Sequence, residues 1–328
     1  MTRRWLTHGV TAIATAATAT FANLAFAQAY PSKSIRIIVP FPPGGTTDVA
    51  ARLVAHRLTE TMGQTVVVEN RAGAGGTIGA DVVAKASPDG YTLLMHNVTF
   101  PIASLSLAQA NRLPYNIDTD FAGVSIVVNV PLVITAHPSV PAKDLRELVG
   151  LLQRDKTLQY AYGSTGPGSF MNVIGEALKG ETKIDMTHVP FQGAAPLKQN
   201  LIAGRVHIGG DQLSSSLGDI RNGTIRALAT NSSKRIAALP DVPTVRELGY
   251  PTLEAEGWNG LFAPAKTPRD VIDRIQREVA AAVREPAMQK RFSDLGAEGV
   301  GSSPADQEAI LRTQINQFRP IVQRIKLE

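Results

Sequence analysis

The 328-residue sequence contains no cysteine, which excludes disulfides, thiolate metal sites and cysteine-based catalysis. It also contains no run of lysine and arginine. Its 33 basic and 28 acidic side chains are interleaved, so the formal charge of +5 and the pI near 9.5 indicate a mild surface bias. We therefore expect no nucleic-acid partner. After the N-terminal segment, no stretch is apolar and long enough to span a bilayer.

Residues 1–27 have the order of a secretory signal peptide. Arg3 and Arg4 precede a weakly apolar, Ala/Thr-rich run at 10–25, and Ala25-Phe26-Ala27 predicts cleavage after Ala27. A transmembrane anchor is the alternative, but threonine and asparagine dilute the run, which is shorter than the roughly 20 apolar residues that a span needs. The start partly resembles a twin-arginine signal, so the Sec and Tat routes both stay open. Cleavage would leave 31 basic and 28 acidic residues, a net charge of +3.

The chain from Ile35 to Gly63 forms the element around which the rest is organised. Ile35–Val39 predicts a buried strand, and the apolar residues between Ala50 and Met62 recur at helical spacing until Gly63 ends the helix. In the intervening loop we expect Gly44 and Gly45 to adopt φ > 0, Thr46 or Thr47 to cap the helix, and Asp48 to suit its dipole. A helix start at the carboxyl end of a strand predicts an anion site, although a plain tight turn explains the loop equally well.

A second copy of this arrangement follows at 158–180. Leu158 to Tyr162 predicts a strand, Gly163 to Ser169 a glycine and hydroxyl loop, and Phe170 to Gly180 a helix. A serine-hydrolase elbow is the rival, but Ser164 follows Gly163 directly and does not match G-x-S-x-G. One such loop in each half of the chain predicts an anion held between two domains.

A third glycine loop carries the main competing signal. Gly73, Gly75 and Gly79 follow the strand at 65–70 and precede a helix expected at 80–86, which is the context of a dinucleotide site. Their spacing is G-x-G-x-x-x-G and no acidic strand end follows at the expected distance, so tight strand-to-helix packing is favoured. No cofactor is therefore predicted.

The alternation of strands and helices predicts parallel α/β sheets, and a mature chain of about 300 residues predicts two domains. Two segments are expected to cross between them. Residues 123–137 are apolar for too long to form one strand and contain Asn129 and Pro131, while 253–264 would return the chain. The helices after Pro268 have apolar faces without catalytic residue types, so we interpret them as scaffold.

Together these motifs resemble the Bug-type receptors of tripartite tricarboxylate transporters, a family of bacterial extracytoplasmic solute-binding proteins. The matching stretches cover nearly the whole mature chain in order, at 30–52, 66–80, 87–94, 162–169, 189–206, 225–230, 239–250 and 258–268. The resemblance implies an α/β, two-lobed periplasmic-binding-protein (Venus flytrap) fold in which each lobe is a mainly parallel sheet flanked by helices. The first lobe would comprise 28–128 and 253–328, and the second lobe 129–252.

The resemblance also implies that loop N–H groups and ordered water hold a ligand carboxylate. The expected ligand-binding residues are Phe41, Gly44, Gly45, Thr46, Thr47, His96, Asn97, Ser164, Thr165, Gly166, Ser169 and Asp211. No catalytic residue and no metal site are expected. His207 departs from the usual aspartate of the family, and the segment from His96 to Asn111 follows no familiar pattern, so we expect that segment to set ligand choice.

The sequence is consistent with three functions. The first is a periplasmic receptor that captures a di- or tricarboxylate, an aromatic acid or an acidic amino acid and delivers it to the permease subunits of the transporter. The second is a secreted enzyme that uses His96 or His207 with Asp211 in the same cleft. The third is a ligand-sensing partner of a membrane sensor kinase. For each of them we expect a monomer.

Overall fold

The computed structural model describes residues 30–325, so the predicted signal peptide at 1–27 lies outside the described residues. The strands are β1 (Ile35–Val39), β2 (Val66–Asn70), β3 (Thr92–Asn97), β4 (Phe121–Asn129), β5 (Leu132–Ala136), β6 (Ala161–Ser164), β7 (Thr187–Pro190), β8 (Ile208–Gln212), β9 (Arg226–Thr230), β10 (Trp258–Pro264) and β11 (Glu298–Gly299). The helices are α1 (Thr46–Met62), α2 (Thr77–Ala84), α3 (Thr99–Gln109), α4 (Leu145–Arg154), α5 (Phe170–Thr182), α6 (Ala194–Ile202), α7 (Leu217–Arg221), α8 (Arg269–Arg284), α9 (Pro286–Asp294) and α10 (Pro304–Arg324).

The strands form two sheets, which we call the first and second sheets. The first has the order β11-β4-β10-β3-β1-β2, and the second has the order β7-β6-β8-β5-β9. β1 pairs with β2 and β3 in parallel, as β6 does with β7 and β8. β10 and β5 instead run antiparallel to both of their neighbours. Both sheets are therefore mixed, because β5 and β10 each enter a sheet directly from a crossing and not through a βαβ unit.

The chain passes between the sheets at the two predicted crossings. The first lies between β4 and β5, at Val130 and Pro131, and the second lies between β9 and β10. The Val130 N–H donates to the Gly257 carbonyl at 2.9 Å, and the Leu213 N–H donates to the Pro131 carbonyl at 2.7 Å. The crossings are therefore hydrogen-bonded to each other and to the residue that follows β8.

The strand and the helix of the organising element form where the sequence predicts them. Four of the five β1 side chains are fully buried, and α1 buries Ala50, Ala51, Val54, Ala55, Leu58 and Met62 against the first sheet and α8. Gly63 ends α1 in the left-handed region, with φ 69°. One apolar cluster continues from the first sheet through α3 and α10 into α4, α5 and the second sheet.

Several helices begin or end away from their predicted positions. α2 starts at Thr77 and not at 80. α4 starts at Leu145, where Asp144 caps it by accepting the Glu147 N–H. α5 continues past Gly180 to Thr182. Pro286 follows the end of α8 and begins α9, since proline suits the first turn of a helix. Across residues 30–325, no helix combines the length and the apolar character needed to cross a membrane.

Candidate ligand-binding cleft

The loop between β1 and α1 brings an uncapped helix start to the edge of the first sheet. Gly45, with φ −78°, is the N-cap residue, and no side chain accepts a hydrogen bond from the first turn. The predicted Thr46 or Thr47 cap is therefore wrong, and so is the positive φ expected at Gly45. Only Gly44 is left-handed, with φ 86°. The N–H groups of the first turn are thus left for a partner outside the helix.

Asp48 fixes the shape of this loop. Its buried carboxylate accepts hydrogen bonds from the Gly44 N–H, Arg52 Nε and Asn70 Nδ2, each at 2.9 Å. Burial on its own raises the pKa of Asp48, but these hydrogen bonds and the Arg52 charge outweigh it and hold the pKa below its ordinary value. Asn70 also donates to the Phe41 carbonyl at 2.9 Å. These hydrogen bonds therefore fix the conformation of the first glycine loop.

A buried chain of side-chain hydrogen bonds runs below the helix start. Thr47 Oγ1 donates to Asn259 Oδ1 at 2.7 Å and accepts from Asn97 Nδ2 at 3.0 Å. Asn259 Nδ2 in turn donates to Gln212 Oε1 at 3.2 Å. This chain connects α1 and β3 of the first sheet to the end of β8 in the second sheet.

The second loop, between β6 and α5, uses Ser164 internally. Its Oγ is fully buried, accepts the Gly166 N–H at 3.2 Å and lies 2.7 Å from His188 Nε2 on β7. Ser169 is also buried, and its Oγ has no hydrogen-bond partner among the described residues. Thr165 is the hydroxyl of this loop that reaches the cleft.

The cleft between the sheets contains two connected cavities. The inner cavity holds about 450 Å³ of space, a figure that includes open solvent, and is lined by 41–43, 45–47, Asn97, Thr165, 193–196, Asp211 and Gln212. The outer cavity holds about 1000 Å³, includes open solvent, and is lined by 40–42, 72–76, 165–167 and 190–193. Phe41, Pro42, Thr165 and Gly193 line both cavities and form the neck between them.

The predicted site residues divide into those that line the cleft and those that do not. The inner cavity brings together Phe41, Gly45, Thr46, Thr47, Asn97, Thr165 and Asp211, and Gly166 lines the outer one. Gly44 borders a separate groove behind the loop, whereas His96, Ser164 and Ser169 line neither cavity. In the segment expected to set ligand choice, only Asn97 lines the inner cavity. α3 packs on α10 and on the 74–76 turn, and its residues 99–105 are buried there.

Sequence reasoning missed the start of α6. Gly193 is its N-cap residue, again without a side-chain cap, and Ala194 to Pro196 line the inner cavity opposite α1. The signal was present, since Val189-Pro190-Phe191-Gln192-Gly193 repeats the order of strand, glycine and helix. The cavity therefore lies between two uncapped helix starts, each with partial positive charge.

Asp211 is the one charged side chain among the described residues that line the two cavities. It lies near the end of β8 and is partly buried, and no lysine, arginine or histidine of residues 30–325 forms an ion pair with it. Burial raises the pKa of Asp211 to about 6, although a hydrogen bond from the Gln212 backbone partly offsets this by favouring the charged form. The cleft thus provides neutral hydrogen-bond donors and helix dipoles for an anion, but its described lining residues include no cationic side chain.

His96 supports the wall of the cleft from inside the first lobe. Its ring is fully buried, stacks on Phe100 at 4.7 Å and meets the edge of Phe41 at 5.2 Å. Nδ1 accepts the Asn97 N–H at 2.8 Å, so the neutral ring carries its proton on Nε2, which has no partner among the described residues. Burial lowers the pKa of His96 to about 3, and the ring is therefore neutral at pH 7.

The residues proposed for an enzyme are not assembled into a catalytic group. His207 precedes β8, stacks on Tyr160 at 4.6 Å and accepts the Ala161 N–H through Nδ1. Asp211 lies four residues further along the extended chain, about 13 Å away. His96 is buried behind Phe41 and Gly76 and does not line the cavity that contains Asp211.

The two lobes touch across the cleft. Thr46 Oγ1 at the start of α1 lies 2.5 Å from Ser214 Oγ, just after β8. At the neck, a Cβ on Gly193 would lie 3.1 Å from Pro42 Cδ, which is tighter than an ordinary contact. The loops of the first lobe and those of the second are therefore in direct contact around the inner cavity.

Two α/β lobes joined by two crossings, with helix starts facing a shared cleft, define the class of periplasmic binding proteins. The sequence pattern described as tripartite tricarboxylate transporter family receptor (TctC) matches residues 50–327. The chain belongs to this family of solute-binding receptors. That membership confirms the predicted Bug-type receptor and the prediction that the protein is not an enzyme.

Named relatives agree in sequence and in structure. Protein BugT of Bordetella pertussis is 36% identical over 306 residues, which cover 93% of each chain. The structure of the periplasmic binding protein BugD has a TM-score of 0.82 and 32% identity, covering 90% of this chain and 98% of its own. MatC from Rhodopseudomonas palustris, solved with bound malate, also has a TM-score of 0.82 and 32% identity, covering 89% and 100%.

Proposed function

We propose that this protein captures one small organic carboxylate per chain in the inner cavity and delivers it to the membrane permease of a tripartite tricarboxylate transporter. The signal peptide predicted at 1–27 would place it in the periplasm. The observation that carries the proposal is the pair of uncapped helix starts, at α1 and α6, on opposite sides of one cavity. Malate bound to MatC supports a carboxylate as the ligand.

The ligand carboxylate would be held by backbone N–H groups of both lobes. The Gly45 to Thr47 turn would contribute from the first lobe, and the Gly193 to Ala195 turn and the Thr165 hydroxyl would contribute from the second. Such an arrangement couples binding to closure, because a ligand that contacts both lobes favours the conformation in which they meet. The contact between Thr46 and Ser214 would then form on closure.

A thermal-shift screen of the mature protein against organic carboxylates tests the proposal. A specific ligand at 100 times its Kd stabilises the folded state by about 2.7 kcal/mol, which raises the melting midpoint. Isothermal titration should then give one site per chain, and chromatography of the ligand after incubation should recover it unchanged. Failure of every carboxylate to bind, or conversion of a bound carboxylate to product, would contradict the proposed function.

A further inference from the structure

The turn between α9 and β11 packs on the second lobe, outside the ligand cleft. A Cβ placed on Gly296 would lie 2.9 Å from Leu213 Cδ2, 3.1 Å from Leu217 Cδ2 and 3.5 Å from Ala238 Cβ. Gly296 precedes a strand of the first sheet, whereas the other three residues follow β8 or β9 of the second sheet. None of these four residues lines the inner or the outer cavity. The lobes therefore also meet in an apolar contact away from the ligand.

The turn at 295–297 belongs firmly to the first lobe. The Leu295 and Ala297 N–H groups donate to the Phe292 carbonyl at 3.0 and 2.9 Å, and the Gly296 N–H donates to the Ser293 carbonyl at 2.9 Å. Phe292 is buried, and β11, directly after the turn, pairs with β4. The turn therefore moves with the first sheet.

The opposing side chains belong equally firmly to the second lobe. Leu213 and Leu217 are buried in an apolar cluster with Val133 of β5 and with Leu239, and Ala238 packs against this cluster. Any displacement of the second sheet against the first therefore carries these side chains past the turn.

Space remains on both sides of this contact. The groove behind the first glycine loop, about 380 Å³ including open solvent, is lined by Leu295 and Ala297 together with Ser214. A second groove, about 1210 Å³ including open solvent, lies along the crossings and is lined by Gly296 and Ala297 together with Pro131. The contact is therefore an isolated bridge between the lobes, and no continuous packing locks it on either side.

The same segment of the second lobe also takes part in the contact across the cleft. Ser214 Oγ lies 2.5 Å from Thr46 Oγ1, and Leu213 is the preceding residue. A rotation that separates Ser214 from Thr46 must therefore shift Leu213 against Gly296. Because the packing at Gly296 is already tight, the shift either removes the contact or forces atoms into overlap, and both outcomes disfavour the open conformation.

We propose that the turn at 295–297 and the side chains of Leu213, Leu217 and Ala238 form a latch that stabilises the closed conformation from outside the ligand cleft. The latch acts on the equilibrium between open and closed lobes and not on the ligand. It therefore changes the affinity for every ligand by the same factor, through the fraction of the protein that is closed. This inference goes beyond the proposed function, and its principal test needs no ligand.

A disulfide across the latch provides that test. The Cβ separation of 3.5 Å between positions 296 and 238 suits a disulfide, and the natural chain has no cysteine that could compete. We expect the double variant Gly296→Cys, Ala238→Cys to form the bond on oxidation, as thiol titration would show. Small-angle scattering of the unliganded protein should then give a smaller radius of gyration for the oxidised form than for the reduced form, which is the matched control.

Two results of this measurement overturn the inference. One is an equal radius of gyration for the oxidised and reduced forms, because the contact would then persist whatever the lobes do. The other is failure of the disulfide to form in a folded double variant. Gly296 is left-handed, with φ 68°, so cysteine is strained there and a melting curve must first establish the fold.

Truncation of the latch is the second test and does not depend on the double variant. Leu217→Ala should weaken the binding of malate, used as the probe in titration calorimetry, by about 3- to 30-fold, since part of the buried leucine side chain loses its contact. Leu239→Ala is the matched control, because Leu239 lies in the same cluster but is not among the three side chains nearest to Gly296. Equal affinities of the two folded variants for malate would overturn the latch. If no carboxylate binds, the proposed function fails, whereas the ligand-free scattering comparison still decides the latch.

Discussion

Asp211 should destabilise the unliganded protein at neutral pH, and its removal should therefore stabilise it. Burial raises the pKa of Asp211 from an ordinary 3.8 to about 6. The folded protein therefore binds this proton more tightly than the unfolded chain does. The stability contributed by the protonated form is fully present below pH 3.8 and is lost as the pH rises toward 6.

The size of the effect follows from the shift. One pKa unit corresponds to 1.36 kcal/mol, so a shift of about two units gives on the order of 3 kcal/mol as an upper limit. Asp211 is only partly buried and faces a cleft that solvent enters, and we therefore expect about 1–2 kcal/mol after screening. The asparagine side chain that replaces it carries no charge at any pH, so Asp211→Asn should be more stable than wild type above pH 6.

Differential scanning calorimetry of unliganded wild type and Asp211→Asn from pH 4 to pH 8 measures this difference. Each kcal/mol corresponds to about 2–4 °C in Tm for a chain of 150–250 residues, and slightly less for this longer chain. The variant should melt a few degrees higher at pH 8, and the gap should close toward pH 4. Asp185→Asn, which removes a carboxylate from an exposed position of the second lobe, should show no such pH-dependent gap. A variant less stable than wild type at pH 8, or a gap independent of pH, would refute the reasoning.

Two further predictions concern glycines near the cleft. Gly44→Ala should lower the free energy of unfolding by about 1–2 kcal/mol, because φ is 86° at this position. Gly45→Ala should lower it much less, because φ is −78° there and the nearest contact of the added Cβ lies 3.9 Å away. Urea unfolding compares the two variants, and equal losses would contradict the left-handed conformation at Gly44. Gly76→Ala should weaken carboxylate binding, because φ is 95° there and the added Cβ would lie 2.5 Å from His96 Nε2 and 3.4 Å from Phe41 Cζ. Adding His96→Ala should restore part of the affinity in calorimetric titration, and an additive double variant would argue against this contact.

The local elements of this protein were determined by the sequence alone. The strand β1, the glycine loop and the helix α1 depend on signals within a few residues of one another, namely buried branched side chains, Gly44 and the terminating Gly63. The repeat of this order before α5 predicted a second loop for the same reason. The first crossing was also predictable, because a run as long and apolar as 123–137 does not fit one strand of a sheet.

Only the tertiary structure decided what the individual polar groups do. Ser164 is turned away from the cleft because His188, 24 residues later, occupies its hydroxyl. His96 is neutral and buried because Gly76 and Phe41 pack over it. Among residues 30–325 Asp211 has no ion-pair partner, and this depends on which side chains five separate segments bring to one cavity. The burial, pKa and hydrogen-bond partners of a side chain are set by groups distant in sequence, whereas helix starts and turns are set by neighbouring residues. The sequence therefore predicts the features that depend on neighbours, and only the tertiary structure reveals those that depend on distant groups.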